Sequence, residues 1–169
     1  GTPREARTAV VASAAGGLYT SEYGVDDLAW AALWLHEATG DQSYFDEALE
    51  WVYAIPGFSK DCVEALVRWD GVSMDNACWF ESWCHIWNSL RSGVFVRMAK
   101  LMSDAGSEYA ELFQMIARKD TMAWVDGHAS PQGFAQKVDV SWGSGRYNSA
   151  GQLVALVYAR SFPEDPDAQ

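Results

Sequence analysis

Two helical segments joined by a single tight turn constrain the fold of this chain more than any other sequence feature. Residues 26–40 have acids in the first turn, apolar side chains at helical spacing and a terminal glycine. Asp41 or Ser43 then caps a second helix, which runs to Ile55 and is ended by Pro56. The pattern predicts an antiparallel helical hairpin.

The rest of the sequence repeats this alternation and predicts an all-α chain. Further helices are expected over residues 3–15, 61–69, 75–102 and 107–125, and from Asn148 or Ser149 through Tyr158. Between the last two, the Gly127–Gly145 segment is rich in glycine and is expected to be an extended, functional loop with a short strand near 137–140. No linker interrupts the pattern, so residues 1–169 are predicted to form a single helical domain.

Composition and charge exclude several classes of partner. The 169 residues, 49% of them hydrophobic, suffice for one domain with a core. The net charge of -11 comes without any basic cluster, which argues against nucleic acid. Charged residues interrupt each apolar stretch before the roughly 20 residues that a bilayer requires, and residues 1–7 lack a signal-peptide layout. We therefore expect a soluble chain that binds neither nucleic acid nor membrane.

Nine tryptophans are a heavy aromatic load for this length. Trp79, Trp83 and Trp87 recur every four residues, which is typical of a packed helix face in the core. Trp142 instead lies in the glycine-rich loop, where an indole can line a cleft. Sugars present flat apolar faces that stack on such rings. Trp142 is therefore a candidate carbohydrate contact.

Several segments resemble the cellulases of glycoside hydrolase family 9. Tyr23–Asp41 is similar to the family's Tyr-x-Asp-Glu-Leu-x-Trp-Ala-Ala-x-Trp-Leu-Tyr-x-Ala-Thr-Gly-Asp stretch. Residues 58–61 and 72–76 both resemble its Phe-Ser-Trp-Asp-Asn segment, with Met74 at the position of the tryptophan. Matches to Thr-Pro-Gly-Gly, Trp-Gly-Ser-Leu-Arg-Tyr and Ala-Leu-Val-Tyr-Ala follow in the family's order, at residues 130–133, 141–148 and 153–159.

The resemblance implies a partial (α/α)6 toroid of antiparallel hairpins whose loops form a cleft for β-1,4-glucan. It implies inverting hydrolysis in the parent module, where one carboxylate activates water and a second carboxylic acid protonates the leaving oxygen. It makes Trp142, Arg146 and Tyr147 the expected substrate contacts. An extracellular, secreted parent enzyme is implied as well.

The family's catalytic carboxylates have no counterpart in this sequence. The base belongs to an Asp-Ala-Gly-Asp motif upstream of the first matched helix, and the acid is a glutamate beyond the last one. Asp104-Ala105-Gly106-Ser107 resembles the first motif but lies downstream and ends in serine, so we interpret it as a helix stop followed by a serine cap. The chain is therefore expected to be an excerpt of the module, with no catalytic residue and no activity alone.

A calcium site is a separate hypothesis. The resemblance places a structural Ca²⁺ at the Asp-Glu pair of the first motif, which makes Asp26, Asp27 and Asp75 its candidate ligands. Asp27 stands where the family has glutamate, so one ligand arm is shorter. The alternative is that Asp26 and Asp27 only complement the helix dipole.

Two other functions fit the same sequence pattern. The hairpins could form a helical scaffold whose concave face binds protein, or a non-catalytic glucan-binding module. In either case the end helices, 3–15 and 148–160, lack one neighbour of a closed ring. Leu153, Val154, Leu156 and Val157 are too apolar for full exposure. We expect self-association, a partner chain that completes the ring, or packing of the two end helices on each other.

Overall fold

A computed structural model describes residues 24–56, 58, 89–128 and 144–166, except for the side chains of residues 123–128 and 144. Five α-helices and no β-strand lie in these ranges, which confirms the predicted all-α class. They are α1 (Val25–Thr39), α2 (Gln42–Val52), α3 (Arg91–Asp104), α4 (Ala110–His128) and α5 (Ser144–Ser161). None of the helices within these ranges is both long and apolar enough to cross a bilayer.

The contacts divide the chain into two compact units. The described part of the first unit contains α1, α2 and residues 89–90, and that of the second contains α3, α4 and α5. The expectation of a single domain over residues 1–169 stays a prediction. The expected helices over residues 3–15 and 61–69, and the expected strand near 137–140, lie outside the described residues.

In the first unit, α1 and α2 form the predicted hairpin. Gly40 ends α1 with φ at 70°, a left-handed conformation that glycine adopts without steric cost, and its N–H donates to the carbonyl of His36 at 2.7 Å. Asp41, rather than Ser43, caps α2, because its carboxylate accepts the Ser43 N–H at 2.9 Å. Hydrogen bonds from the Ser43 backbone and hydroxyl lower the pKa of Asp41. The helix ends at Val52, three residues before the predicted end.

Small side chains bring the two helices of the hairpin together. The buried residues are Ala29, Ala32 and Leu33 on α1, Ala48, Trp51 and Val52 on α2, and Ile55 and Phe58 after it. On α1 the buried positions recur at the three- and four-residue spacing of one helix face. The opposite face of α1 is left exposed.

The first helix in the described part of the second unit is α3, which is shorter than predicted. A single helix over residues 75–102 is wrong, since residues 89–90 are not helical and α3 starts at Arg91. The physical reason is a distant hydrogen bond: the Leu90 N–H donates to the Asp26 carboxylate at 2.8 Å instead of to a helix carbonyl. Trp79, Trp83 and Trp87 lie outside the described residues.

The turn between α3 and α4 confirms the predicted helix stop. Gly106 has φ at 62°. Its N–H donates to the Ser103 carbonyl at 3.1 Å, and the Ser107 N–H donates to the Met102 carbonyl at 3.0 Å. This pair of bonds is the Schellman arrangement. The Ser107 hydroxyl then accepts the Tyr109 N–H at 3.2 Å, and α4 begins at Ala110, three residues later than predicted.

Helices α4 and α5 are both longer than predicted at the ends that face the glycine-rich loop. α4 continues to His128, and α5 begins at Ser144 rather than at Asn148 or Ser149. Both ends of the predicted loop are therefore helical, and residues 129–143 lie outside the described residues. The sequence pattern assigns Gly145 to the loop, but the structure places it in the first turn of α5.

Aromatic, aliphatic and methionine side chains fill the core of the second unit. The fully buried large residues are Val94, Phe95, Val96 and Met98 on α3, Phe113 and Ile116 on α4, and Tyr158 on α5. α3 packs against α4, and α5 packs against both. This leaves one long face of α5 outside the core.

Candidate functional site

The two candidate glucan contacts that the structure describes, Arg146 and Tyr147, form a joined pair in the first turn of α5. The Arg146 Nη2 donates to the Tyr147 hydroxyl at 2.7 Å. The guanidinium carbon lies 4.6 Å from the centroid of the same ring, within cation–π distance. Arg146 is exposed and Tyr147 is partly buried. The ring thus holds the guanidinium in one orientation at the surface.

This pair has the chemistry of a polar sugar contact. A guanidinium carries five N–H donors in a fixed plane, and one of its nitrogens donates to Tyr147. Held against a ring, it loses less side-chain freedom when it donates to sugar hydroxyls or to a carboxylate. The third candidate, Trp142, lies outside the described residues.

Asp26, one of the candidate calcium ligands, has a structural partner far along the chain. Its side chain is almost wholly buried, at 4% exposure. One carboxylate oxygen accepts the Leu90 N–H at 2.8 Å, and the other accepts the Asp27 N–H at 3.2 Å. Burial raises the pKa of Asp26, and the neighbouring Asp27 charge adds to that rise, while the bond from Leu90 opposes it. Asp26 therefore connects the start of α1 to the segment before α3.

The Asp27 carboxylate differs from that of its neighbour. Its Oδ2 is buried and accepts no hydrogen bond from the described residues. A buried acceptor without a donor is costly, and a cation is one way to satisfy it. Asp75 lies outside the described residues, and within those ranges no three His, Cys, Asp or Glu side chains form a metal-binding group. Of the three predicted ligands, the structure describes Asp26 and Asp27, which are adjacent in the sequence.

The sequence pattern does not indicate a polar cluster in the second unit, whose tyrosine and carboxylate are buried and whose arginine is partly exposed. The Tyr158 hydroxyl donates to the Asp165 Oδ2 at 2.5 Å, and the Arg118 Nε lies 3.5 Å from the Asp165 Oδ1. Burial, together with the Asp165 carboxylate, raises the pKa of Tyr158. In the sequence, Asp165 stands between prolines near the end of the chain, and nothing in this pattern indicates that its side chain is buried. The cluster holds the segment after α5 against α4.

Comparison with known proteins places these features in a family. Residues 2–169, nearly the whole chain, match the model of Glycosyl hydrolase family 9. The chain belongs to glycosyl hydrolase family 9. The resemblance inferred from the Tyr23–Asp41 stretch and the motifs after it is therefore confirmed.

The sequence relatives and the solved structures that the chain resembles are endoglucanases by name. Endoglucanase B of Cellulomonas fimi is 28% identical over 160 residues, which is 87% of this chain and 12% of that protein. Endoglucanase 15 of Arabidopsis thaliana is 62% identical over 32 residues, 19% of this chain and 6% of that protein. The endoglucanase CelQ from Clostridium thermocellum, solved with cellotriose, has a TM-score of 0.66 at 26% identity.

The CelQ comparison covers 98% of this chain but only 25% of the CelQ chain. A second CelQ structure, with cellotetraose, agrees, with a TM-score of 0.65 at 25% identity and the same coverage. This family 9 chain thus has the helical architecture expected of part of an (α/α)6 barrel, and it spans about a quarter of the solved relative.

Proposed function

We propose that this chain is a portion of an endo-β-1,4-glucanase-like family 9 module and contributes part of its glucan-binding surface. The parent module would hydrolyse β-1,4-glucan with inversion. The observation that carries the proposal is the family match over residues 2–169, together with likeness to CelQ structures that contain cello-oligosaccharides.

The proposed substrate contacts are Trp142, Arg146 and Tyr147. The Arg146–Tyr147 pair supplies a fixed guanidinium at the surface, and Trp142 supplies an apolar face on which a sugar ring can stack. Such contacts orient a glucan without any role in proton transfer.

We propose further that the chain alone does not hydrolyse glucan. An inverting mechanism needs two carboxyl groups about 6.5–9.5 Å apart with room for water between them. The one segment that resembles the family's base motif, Asp104–Ser107, is a helix stop. Its backbone N–H groups donate to the last carbonyls of α3, and its serine hydroxyl accepts an N–H at the start of the next helix. Neither of the family's catalytic motifs stands at its expected place in the sequence.

Binding and hydrolysis should be measured separately, with cellotetraose as ligand and maltotetraose as the matched α-linked control. Tryptophan fluorescence or calorimetry should show binding of cellotetraose only. Arg146→Lys and Tyr147→Phe should each weaken it about two- to tenfold, the worth of one hydrogen bond, whereas Tyr109→Phe should not. No reducing ends should appear over the same period. Equal binding of both sugars would refute the glucan site, and hydrolysis lost on changing a carboxylate of this chain would refute the inactivity.

A structural Ca²⁺ at Asp26, Asp27 and Asp75 is also proposed. Its support is the buried Asp27 Oδ2, which accepts no hydrogen bond from the described residues, and an all-oxygen donor set, which suits a hard cation. Both Asp26 oxygens already accept backbone N–H bonds, but a carboxylate offers about four acceptor sites, so capacity remains. A bound Ca²⁺ would offset the repulsion between adjacent carboxylates.

The proposed setting is extracellular, as the family resemblance implies. The second candidate function, a helical scaffold for protein partners, is favoured by one observation: Leu153, Leu156 and Val157 are exposed on α5. An apolar face of this kind supports self-association or a partner chain that completes the ring.

A further inference from the structure

No further inference is drawn: the strongest candidate, the exposed apolar face of α1 that includes Trp34 and Leu35, carries nothing because the described part of the chain does not show what covers it.

Discussion

The Tyr158–Asp165 hydrogen bond offers a sharp test of how the end of the described chain is held. Tyr158 is essentially buried, and its hydroxyl lies 2.5 Å from the Asp165 carboxylate, which is itself buried. Tyr158→Phe removes one oxygen and keeps the ring, including its contact with Phe162 at 5.2 Å between centroids. The change therefore isolates the hydrogen bond from the packing.

The expected loss of stability depends on the groups that lose their hydrogen-bond partner. A hydrogen bond to a charged acceptor contributes about 1.5–3 kcal/mol, and its loss leaves the Asp165 Oδ2 buried without that donor. Arg118 still lies 3.5 Å from the other oxygen and limits the penalty. We expect Tyr158→Phe to lower the free energy of unfolding by about 2 kcal/mol. Urea denaturation at neutral pH, with Tyr109→Phe as the control, measures this value.

The same hydrogen bond predicts that the free energy of unfolding depends on pH in the alkaline range. The folded-state pKa of Tyr158 is raised above its unfolded value of about 10, so the stabilisation is complete below pH 10 and is lost as pH rises through the folded pKa. The wild type should therefore lose stability above pH 10 more steeply than Tyr158→Phe. Equal stability of the two proteins at neutral pH, or parallel alkaline curves, would refute the role assigned to this bond.

Three further predictions concern the glycines that follow α1 and α3 and the carboxylates at the start of α1. Gly106→Ala should lower the free energy of unfolding by about 1–2 kcal/mol, because φ at this position is 62°. The added Cβ would meet nothing within 4 Å, so the cost is backbone strain alone. Gly40→Ala, with φ at 70°, should have the same effect in the same denaturation assay. Ca²⁺ at about one hundred times its Kd should stabilise a chelator-stripped sample by about 2.7 kcal/mol, and no shift in Tm at millimolar Ca²⁺ would contradict the site. The pKa of Asp26 is raised in the folded chain, so its contribution to stability is present below pH 3.8 and is lost as pH rises through the folded pKa. Asp26→Asn should therefore flatten that part of the curve of stability against pH. A curve that the substitution leaves unchanged would argue against burial as the cause of the raised pKa.

The parts of the fold that were predictable depend on neighbours in sequence. The α1–α2 hairpin was predicted to within three residues because its signals, Gly40 and Asp41, act on backbone groups no more than four residues away. The stop at Gly106 and the cap at Ser107 were predicted for the same reason. In each case one side chain or one left-handed glycine satisfies a local donor or acceptor, so the local sequence suffices.

The errors arose where a partner lies far along the chain. Nothing near Leu90 indicates that its N–H will bond to a carboxylate 64 residues earlier, so the helix was extended through it. Nothing near Asp165 indicates burial, because the acceptor role depends on Tyr158 and Arg118 in other helices. The early start of α5 was missed because Gly145 was weighed as a loop residue without regard to its place in the first turn.

Asp26 shows how a resemblance and a structure can assign two roles to one carboxylate without conflict. The resemblance makes it a cation ligand, and the structure makes it the acceptor for the Leu90 N–H. Because the carboxylate has acceptor capacity for both, a cation bound there would lower the cost of keeping Asp26 charged and buried. A bound ion would also fix the orientation of the carboxylate that accepts the Leu90 N–H. Calcium and the segment before α3 should therefore be coupled, and exchange of the Leu90 amide hydrogen should slow in the presence of Ca²⁺. An exchange rate that Ca²⁺ leaves unchanged, in a sample whose Tm it raises, would place the ion elsewhere.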